Sequence, residues 1–321
     1  MKYIGNKNKL MSWISKVLSD EGIEIKNKLI LDGFLGTGAF SKYAFEKKAK
    51  KIYGCELLTS MCFYSNYNVY GISKESFEKV KTSFLKKTEN QGYFYKNFST
   101  DSKRNFFSND NAKKIDSMLE DWETFTDIEK GLAIDMIDKV SNTSGTYGAY
   151  LKIWRSMALK NIDDYKIKNF QYKDYLLGTF ESLNMSIIDF NKKVDIAYLD
   201  PPYNTRQYGA NYHLLERIID RKEGIQSISG VFKTDSNSGF SKKTEHKKLI
   251  IKLIDRINSK IIIVSYNNEG IISLDEWREI LKDYNFKIYQ TDYKRFKSNS
   301  ITKIKTKNNE NLRELLFIIW K

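Results

Sequence analysis

The sequence predicts an α/β chain: a Rossmann-like sheet assembled from the two ends, interrupted by a mostly helical insertion. Three observations carry this. A strand, a glycine loop, a helix and a second strand ending in an acid follow one another between residues 29 and 56. Short apolar strands return after residue 181. Between them, residues 71–180 show helical spacing with polar interruptions.

In chain order, Leu10, Trp13, Ile14, Val17 and Leu18 recur at helical intervals and predict a first helix. KLILDGFLGTGAF gives a strand at Leu29–Leu31 that runs into glycines, with a helix starting near Ala39. KKIYGCE is the next strand and ends at Glu56. That order of parts builds a nucleotide-binding βαβ unit. In the insertion, Ile115, Met118, Leu119 and Trp122, then Leu132, Ile134, Met136 and Ile137, predict two helices. VDIAYLD, KIIIVSYNN, FKIYQTDY and ELLFIIW are the later strands, and Arg221–Lys248, rich in Gly, Ser, Lys and Thr, reads as a long loop. The expected division is a core of residues 1–70 and 181–321 around a helical insertion of 71–180.

Composition narrows the class. At 321 residues and 41% hydrophobic, the chain can bury a sizeable core. No apolar run reaches the ~20 residues of a membrane span, and the N-terminus lacks the apolar stretch of a secretory signal. Two cysteines, Cys55 and Cys62, and two histidines leave little for a zinc site or a disulfide framework. A cytoplasmic, metal-free protein with no membrane partner is expected. The net charge of +14 is uneven. Residues 71–180 carry 18 basic and 16 acidic side chains, whereas 287–307 carry seven basic ones against Asp292 alone. Such a cluster suits a polyanion, which points to nucleic acid.

The glycine loop reads Asp32-Gly33-Phe34-Leu35-Gly36-Thr37-Gly38, which is not the order of a dinucleotide fingerprint. Glycines allow close backbone approach to a ligand. Asp32 at the head of the loop favours a cationic ligand over a pyrophosphate, and Glu56 stands where a carboxylate can take ribose hydroxyls. S-adenosylmethionine, with an ammonium, a sulfonium, a ribose and no phosphate, suits this set better than NAD.

The only two prolines in the chain are adjacent, in Asp200-Pro201-Pro202-Tyr203, after the strand Val194–Leu199. Proline fixes φ and removes a backbone donor. A carboxylate and a rigidly held carbonyl then offer two acceptors for the hydrogens of an exocyclic amine, and Tyr203 offers a face for a base. Aryl amines are poor nucleophiles, and acceptors on the amine hydrogens stabilise the charge that develops there. Carbon methylation of cytosine requires an activated cysteine, usually after a proline, and neither cysteine follows one.

DPPY, D-x-F-x-G-x-G and the N-terminal YIGNK, in this order, resemble the Dam-like, alpha-group DNA adenine N6-methyltransferases. These are bacterial or phage enzymes, commonly of restriction–modification systems, and LDPPYNTRQYGANYHLLE is most similar to type IIS members. The resemblance covers Tyr3–Leu10, Leu31–Glu56, Ser182–Glu216 and Ile261–Ile272. It implies that Tyr3, Ile4, Gly5 and Lys7 line the methionine end of S-adenosylmethionine, that Asp32, Phe34, Gly36 and Gly38 form its loop, and that Glu56 binds its ribose. Asp200, Pro201, Pro202 and Tyr203 would be the catalytic tetrad that holds a flipped adenine. Asn184, Ser186 and Asp189 are candidates for contacting the cofactor's adenine ring, and Tyr266–Gly270 falls where the family has a base-pocket loop. Methylation of the cytosine amine or of RNA adenine, and a DNA-binding subunit with a dead core, stay as alternatives. DNA contacts are expected from Thr143, Tyr147, Lys152, Arg206, Lys294, Arg295 and Lys297. The other expectations are double-stranded DNA as partner, a cognate restriction endonuclease encoded nearby, a monomeric state, and a structural role for His213.

Overall fold

A computed structural model describes residues 1, 3–86, 91–167, 170–172, 178–203, 205, 208–221, 238–292 and 312–321. Within them a seven-stranded sheet has the order β3-β2-β1-β4-β5-β7-β6. The strands are β1 (Leu29–Asp32), β2 (Lys51–Glu56), β3 (Phe180–Asn184), β4 (Val194–Leu199), β5 (Ser259–Asn267), β6 (Asn285–Asp292) and β7 (Arg313–Trp320). β1 is parallel to β2 and β4, β2 to β3, and β4 to β5. β7 runs antiparallel between β5 and β6. From β1 the chain builds outward through β2 and β3, then returns to add β4 on the opposite side. This reversal leaves a crevice at the carboxyl ends of β1 and β4, where open α/β sheets bind ligands.

Both faces of the sheet are covered. α1 (Met11–Asp20) and α2 (Ala39–Glu46) pack Ile14, Val17, Leu18, Phe40 and Ala44 against Ile30, Ile52, Ile196 and Ile263 on one face. α9 (Lys243–Arg256) and α10 (Leu274–Leu281) pack Ile250, Leu253, Trp277 and Leu281 against Leu31, Ala197, Leu199 and Val264 on the other. Burial on two faces explains why these strands read as continuous apolar runs. The expected loop over Arg221–Lys248 gives way to helix α9 from Lys243, because Ile250, Leu253 and Ile254 keep a buried stripe.

The helical part comprises α4 (Lys74–Ser83), α5 (Tyr93–Phe98), α6 (Asn109–Glu120) and α7 (Asp127–Val140). It does not close on itself. Its apolar core, with Phe77, Phe94, Ile115, Trp122 and Ile134, continues into Leu58, Met61 and Tyr64 around α3 (Thr59–Tyr70) and into Tyr212, Leu214, Leu215 and Ile218 of α8 (Tyr208–Asp220). A boundary at residue 71 therefore cuts through a hydrophobic core. One consequence is positional: α8, which follows the proline pair closely, is packed rigidly against the helical part.

Candidate active site

Asp32 ends β1 and is buried, and its Oδ2 accepts hydrogen bonds from the Ser41 backbone N–H at 3.1 Å and the Ser41 hydroxyl at 2.8 Å. The first turn of α2 is thus capped by the chain's own acid, and no N-terminus is left open for a phosphate. Gly36 has φ +48°, and a Cβ there would come within 3.0 Å of the Tyr3 ring, so the loop needs glycine at this point. The Gly36 N–H donates to Glu56 Oε2 at 2.9 Å, while the Leu57 and Leu58 N–H groups donate to Oε1 at 2.8 and 2.9 Å. Burial nonetheless pushes Asp32 and Glu56 up to about 7 each, with those hydrogen bonds pulling the other way.

Asp200 follows β4 directly, across the crevice from Asp32. Pro201 is buried behind it. The Tyr203 carbonyl is fixed by the Ile271 N–H at 3.1 Å. Lys7 is buried, with Nζ 3.2 Å from Asp200 Oδ1, 3.5 Å from Glu314 Oε2 and 5.2 Å from the centre of the Tyr203 ring. The ammonium thus bridges Oδ1 of Asp200 and the Glu314 carboxylate. Burial raises Asp200 to about 6; Lys7 opposes the rise and Glu314 adds to it. For Lys7, burial alone would lower the pKa, but the two carboxylates override it and hold the ammonium well above its usual range.

The crevice opens into a cleft of about 930 Å³. Tyr3, Ile4, Gly5, Lys7, Asp32, Phe34, Gly36, Glu56, Asp200 and Pro202 all line it, so groups from the N-terminus, the glycine loop and the tetrad come together. Gly38, Pro201 and Tyr203 are not among its lining residues. Gly38 instead starts α2 in a left-handed conformation, and Tyr203 faces Tyr266 edge-on with ring centres 6.1 Å apart. Of the three candidates near β3, Ser186 lines the cleft; Asn184 is engaged with Thr59 and the Glu56 and Leu57 carbonyls.

The cleft also holds residues that the sequence reading missed. Phe240 packs edge-on against Phe34 at 5.0 Å. Tyr208 and Tyr212, one helical turn apart, flank Tyr3 at 5.7 and 4.5 Å, a spacing visible in YGANY. Glu314 has no local signal, since its partner Lys7 lies at the other end of the chain.

Expected DNA contacts fare unevenly. Thr143 and Tyr147 are fully buried, a correction to the DNA-facing loop: the Tyr147 hydroxyl donates to Asp138 at 2.8 Å and Thr143 pairs with Ser141. His213 donates to the Tyr147 carbonyl at 2.8 Å and is buried, which makes it structural. Residues 151–160 form turns, and Lys152 is exposed there. Arg206, Lys294, Arg295 and Lys297 lie outside the described residues.

S-adenosylmethionine fits these groups. The cleft lining is largely apolar and aromatic with a few carboxylates, as small-ligand sites are, and those carboxylates gain from a cationic ligand. Among the described residues no group of three or more His, Cys, Asp or Glu side chains is arranged to hold a metal. Burial pushes the Cys55 thiol up to about 12 and Cys62 higher still, so neither is an activated nucleophile.

Residues 3–296 match the family described as D12 class N6 adenine-specific DNA methyltransferase. The chain belongs to this family. Its relatives include modification methylase StsI of Streptococcus sanguinis, 31% identical over 99% of this chain and 52% of that protein. Type II methyltransferase M.NlaIII of Neisseria lactamica is 30% identical over 100% of this chain and 99% of its own length. The D12 chain thus spans about half of the first relative and nearly all of the second. Among solved structures, the magnesium protoporphyrin IX methyltransferase of Synechocystis with bound SAM aligns over 98% of this chain and 79% of that one, with a TM-score of 0.38 and 8% identity.

Proposed function

We propose that this protein methylates the exocyclic N6 amine of adenine at a specific site in double-stranded DNA, as the modification arm of a restriction–modification system. The observation that carries the reading is Asp200: a half-buried carboxylate at the sheet's reversal point that lines the cofactor cleft, with the Lys7 ammonium 3.2 Å from its Oδ1.

When bound, S-adenosylmethionine supplies an electrophilic methyl group. The chain's own residues do the rest. Asp32 and Glu56 hold the cationic and ribose ends, and Phe34 with Phe240 gives apolar cover. Asp200 accepts one amine hydrogen and the Pro201 carbonyl the other, which favours a tetrahedral nitrogen with its lone pair available for attack. Tyr203 stacks on the extruded base. Lys7, paired with Oδ1, keeps Asp200 ionised and leaves its other oxygen to the substrate amine. Lys152 and the cationic segments contact phosphates, which position a protein without specifying sequence. Asp200 favours adenine over cytosine, whose amine methyltransferases more often carry Ser at that position.

The partner is DNA, with a cognate endonuclease encoded nearby. A cytoplasmic monomer suffices, because one transfer needs one site. The test is incubation with labelled S-adenosylmethionine and unmethylated duplex DNA, followed by sequencing of the modified positions. Label on adenine N6 at one recurrent sequence is the expected result. Label on cytosine, label on RNA alone, or no label would reject the reading.

A further inference from the structure

Two walls of the site meet behind it on a single side chain. Phe240, which packs on Phe34 of the cofactor loop, forms one wall. Tyr266, edge-on to Tyr203, forms the other; its hydroxyl accepts from the Ile272 N–H at 3.1 Å, while the adjacent Ile271 N–H holds the Tyr203 carbonyl. His246 of α9 lies between them and is fully buried. Its Nδ1 is 2.6 Å from the Phe240 carbonyl oxygen, and its Nε2 is 2.9 Å from the Tyr266 hydroxyl.

The protons along this chain can be assigned. A carbonyl only accepts, so Nδ1 carries the proton. Tyr266 already accepts from Ile272, and its O–H then donates to the bare Nε2. Every donor and acceptor is matched by the neutral Nδ1–H imidazole. Burial also lowers the imidazole's pKa, which keeps that neutral form in place. The Tyr266 ring has no room to shift: a Cβ on Gly270 would come within 2.1 Å of it, and Trp277 meets it edge-on at 5.2 Å.

We propose that His246 is a positioning residue for methyl transfer, which ties the Phe240 wall of the cofactor cleft to the Tyr266 wall behind Tyr203, so that cofactor and target base are set against each other through a side chain that touches neither. The inference rests on the proposed placement of cofactor and base. Its signature is an effect at a distance, because neither His246 nor Tyr266 lines the cleft.

The test measures cofactor affinity calorimetrically on the full chain without DNA, beside thermal stability. Tyr266→Phe, which removes one oxygen, and His246→Leu are each expected to weaken S-adenosylmethionine binding by roughly three- to tenfold, the scale of one lost buried hydrogen bond. The double variant should match either single one, since both break the same chain. Leu281→Ala, a buried change in α10, lowers the melting temperature but should leave affinity intact, which separates positioning from general destabilisation. Unchanged affinity in Tyr266→Phe and His246→Leu, with Asp32→Ala weakened, overturns the role of His246 alone. Unchanged affinity in Asp32→Ala as well overturns the cofactor placement and the inference with it. If Leu281→Ala weakens binding as much as Tyr266→Phe does, His246 is a core residue and the proposal fails.

Discussion

Asp200 has two jobs that conflict: it must be ionised to accept a hydrogen bond, yet it is buried, and burial favours the neutral acid. Lys7 resolves the conflict by pairing with Oδ1, which lowers the value that burial raises. Asp200→Ala should therefore lower turnover by ~10²–10³, the usual worth of a transition-state hydrogen-bond partner, while S-adenosylmethionine affinity changes little; single-turnover rates with measured cofactor binding check this. The pH profile tests the surroundings. Activity should fall as pH drops through about 6, where Asp200 takes up a proton. Glu314 raises that value and Lys7 lowers it, so Glu314→Gln should move the acid limb to lower pH and Lys7→Met to higher pH. Limbs that coincide in all three proteins would count against this triad. Asp200 was legible because two prolines in an otherwise proline-poor chain mark it. Glu314 was not, since one acid opening an apolar strand reads as a solvated edge until the sheet brings residue 7 beside it.

At the scale of elements, what could be read and what could not divide by periodicity. β1 and β4 follow from apolar runs ended by glycine and proline, α2 from the glycines before it and β2 from a short run ending in an acid, and each lies within a residue or two of its expected place. The loop 141–150 has no such pattern. Its hydroxyls and tyrosines suited DNA, yet they satisfy the chain's own polar groups: the Ser141 hydroxyl donates to the Asp138 carbonyl, Asn142 to the Asn105 and Leu151 carbonyls, and Tyr147 to the Asp138 carboxylate. Small polar residues serve either purpose, and only the packing of α7 and α8 around them decides. Tyr147→Phe should accordingly cost about 1–3 kcal/mol of stability by stranding a buried carboxylate oxygen. It should leave the methylated sequence unchanged. Urea unfolding and mapping of modified adenines report the two effects separately, and an altered recognition sequence with full stability would return Tyr147 to the DNA interface.

The whole molecule stores an electrostatic cost in its site. Asp32 and Glu56 have folded values of about 7 and Asp200 of about 6, against ~4 for carboxyls in an unfolded chain. Between about pH 4 and 7 the folded state therefore binds more protons than the unfolded state, and stability falls as pH rises through this window. Glu276 works in the opposite sense: its value is lowered to about 2, so its contribution is present above ~4 and lost only below that. The two windows barely overlap; His213 and His246, whose values burial lowers, add stability as pH rises towards ~6.5, so the site carboxylates shape the slope above that. A ligand bearing an ammonium and a sulfonium relieves the repulsion, and it does so most when the carboxylates are ionised. Thermal melts should thus show the ligand-free protein losing stability from pH 6.5 to 8, with the increment from saturating S-adenosylmethionine growing over the same range. Asp32→Asn should flatten both trends, because it removes one of the charges that burial penalises. An increment independent of pH in the wild type would mean that these carboxylates are not what the cofactor binds.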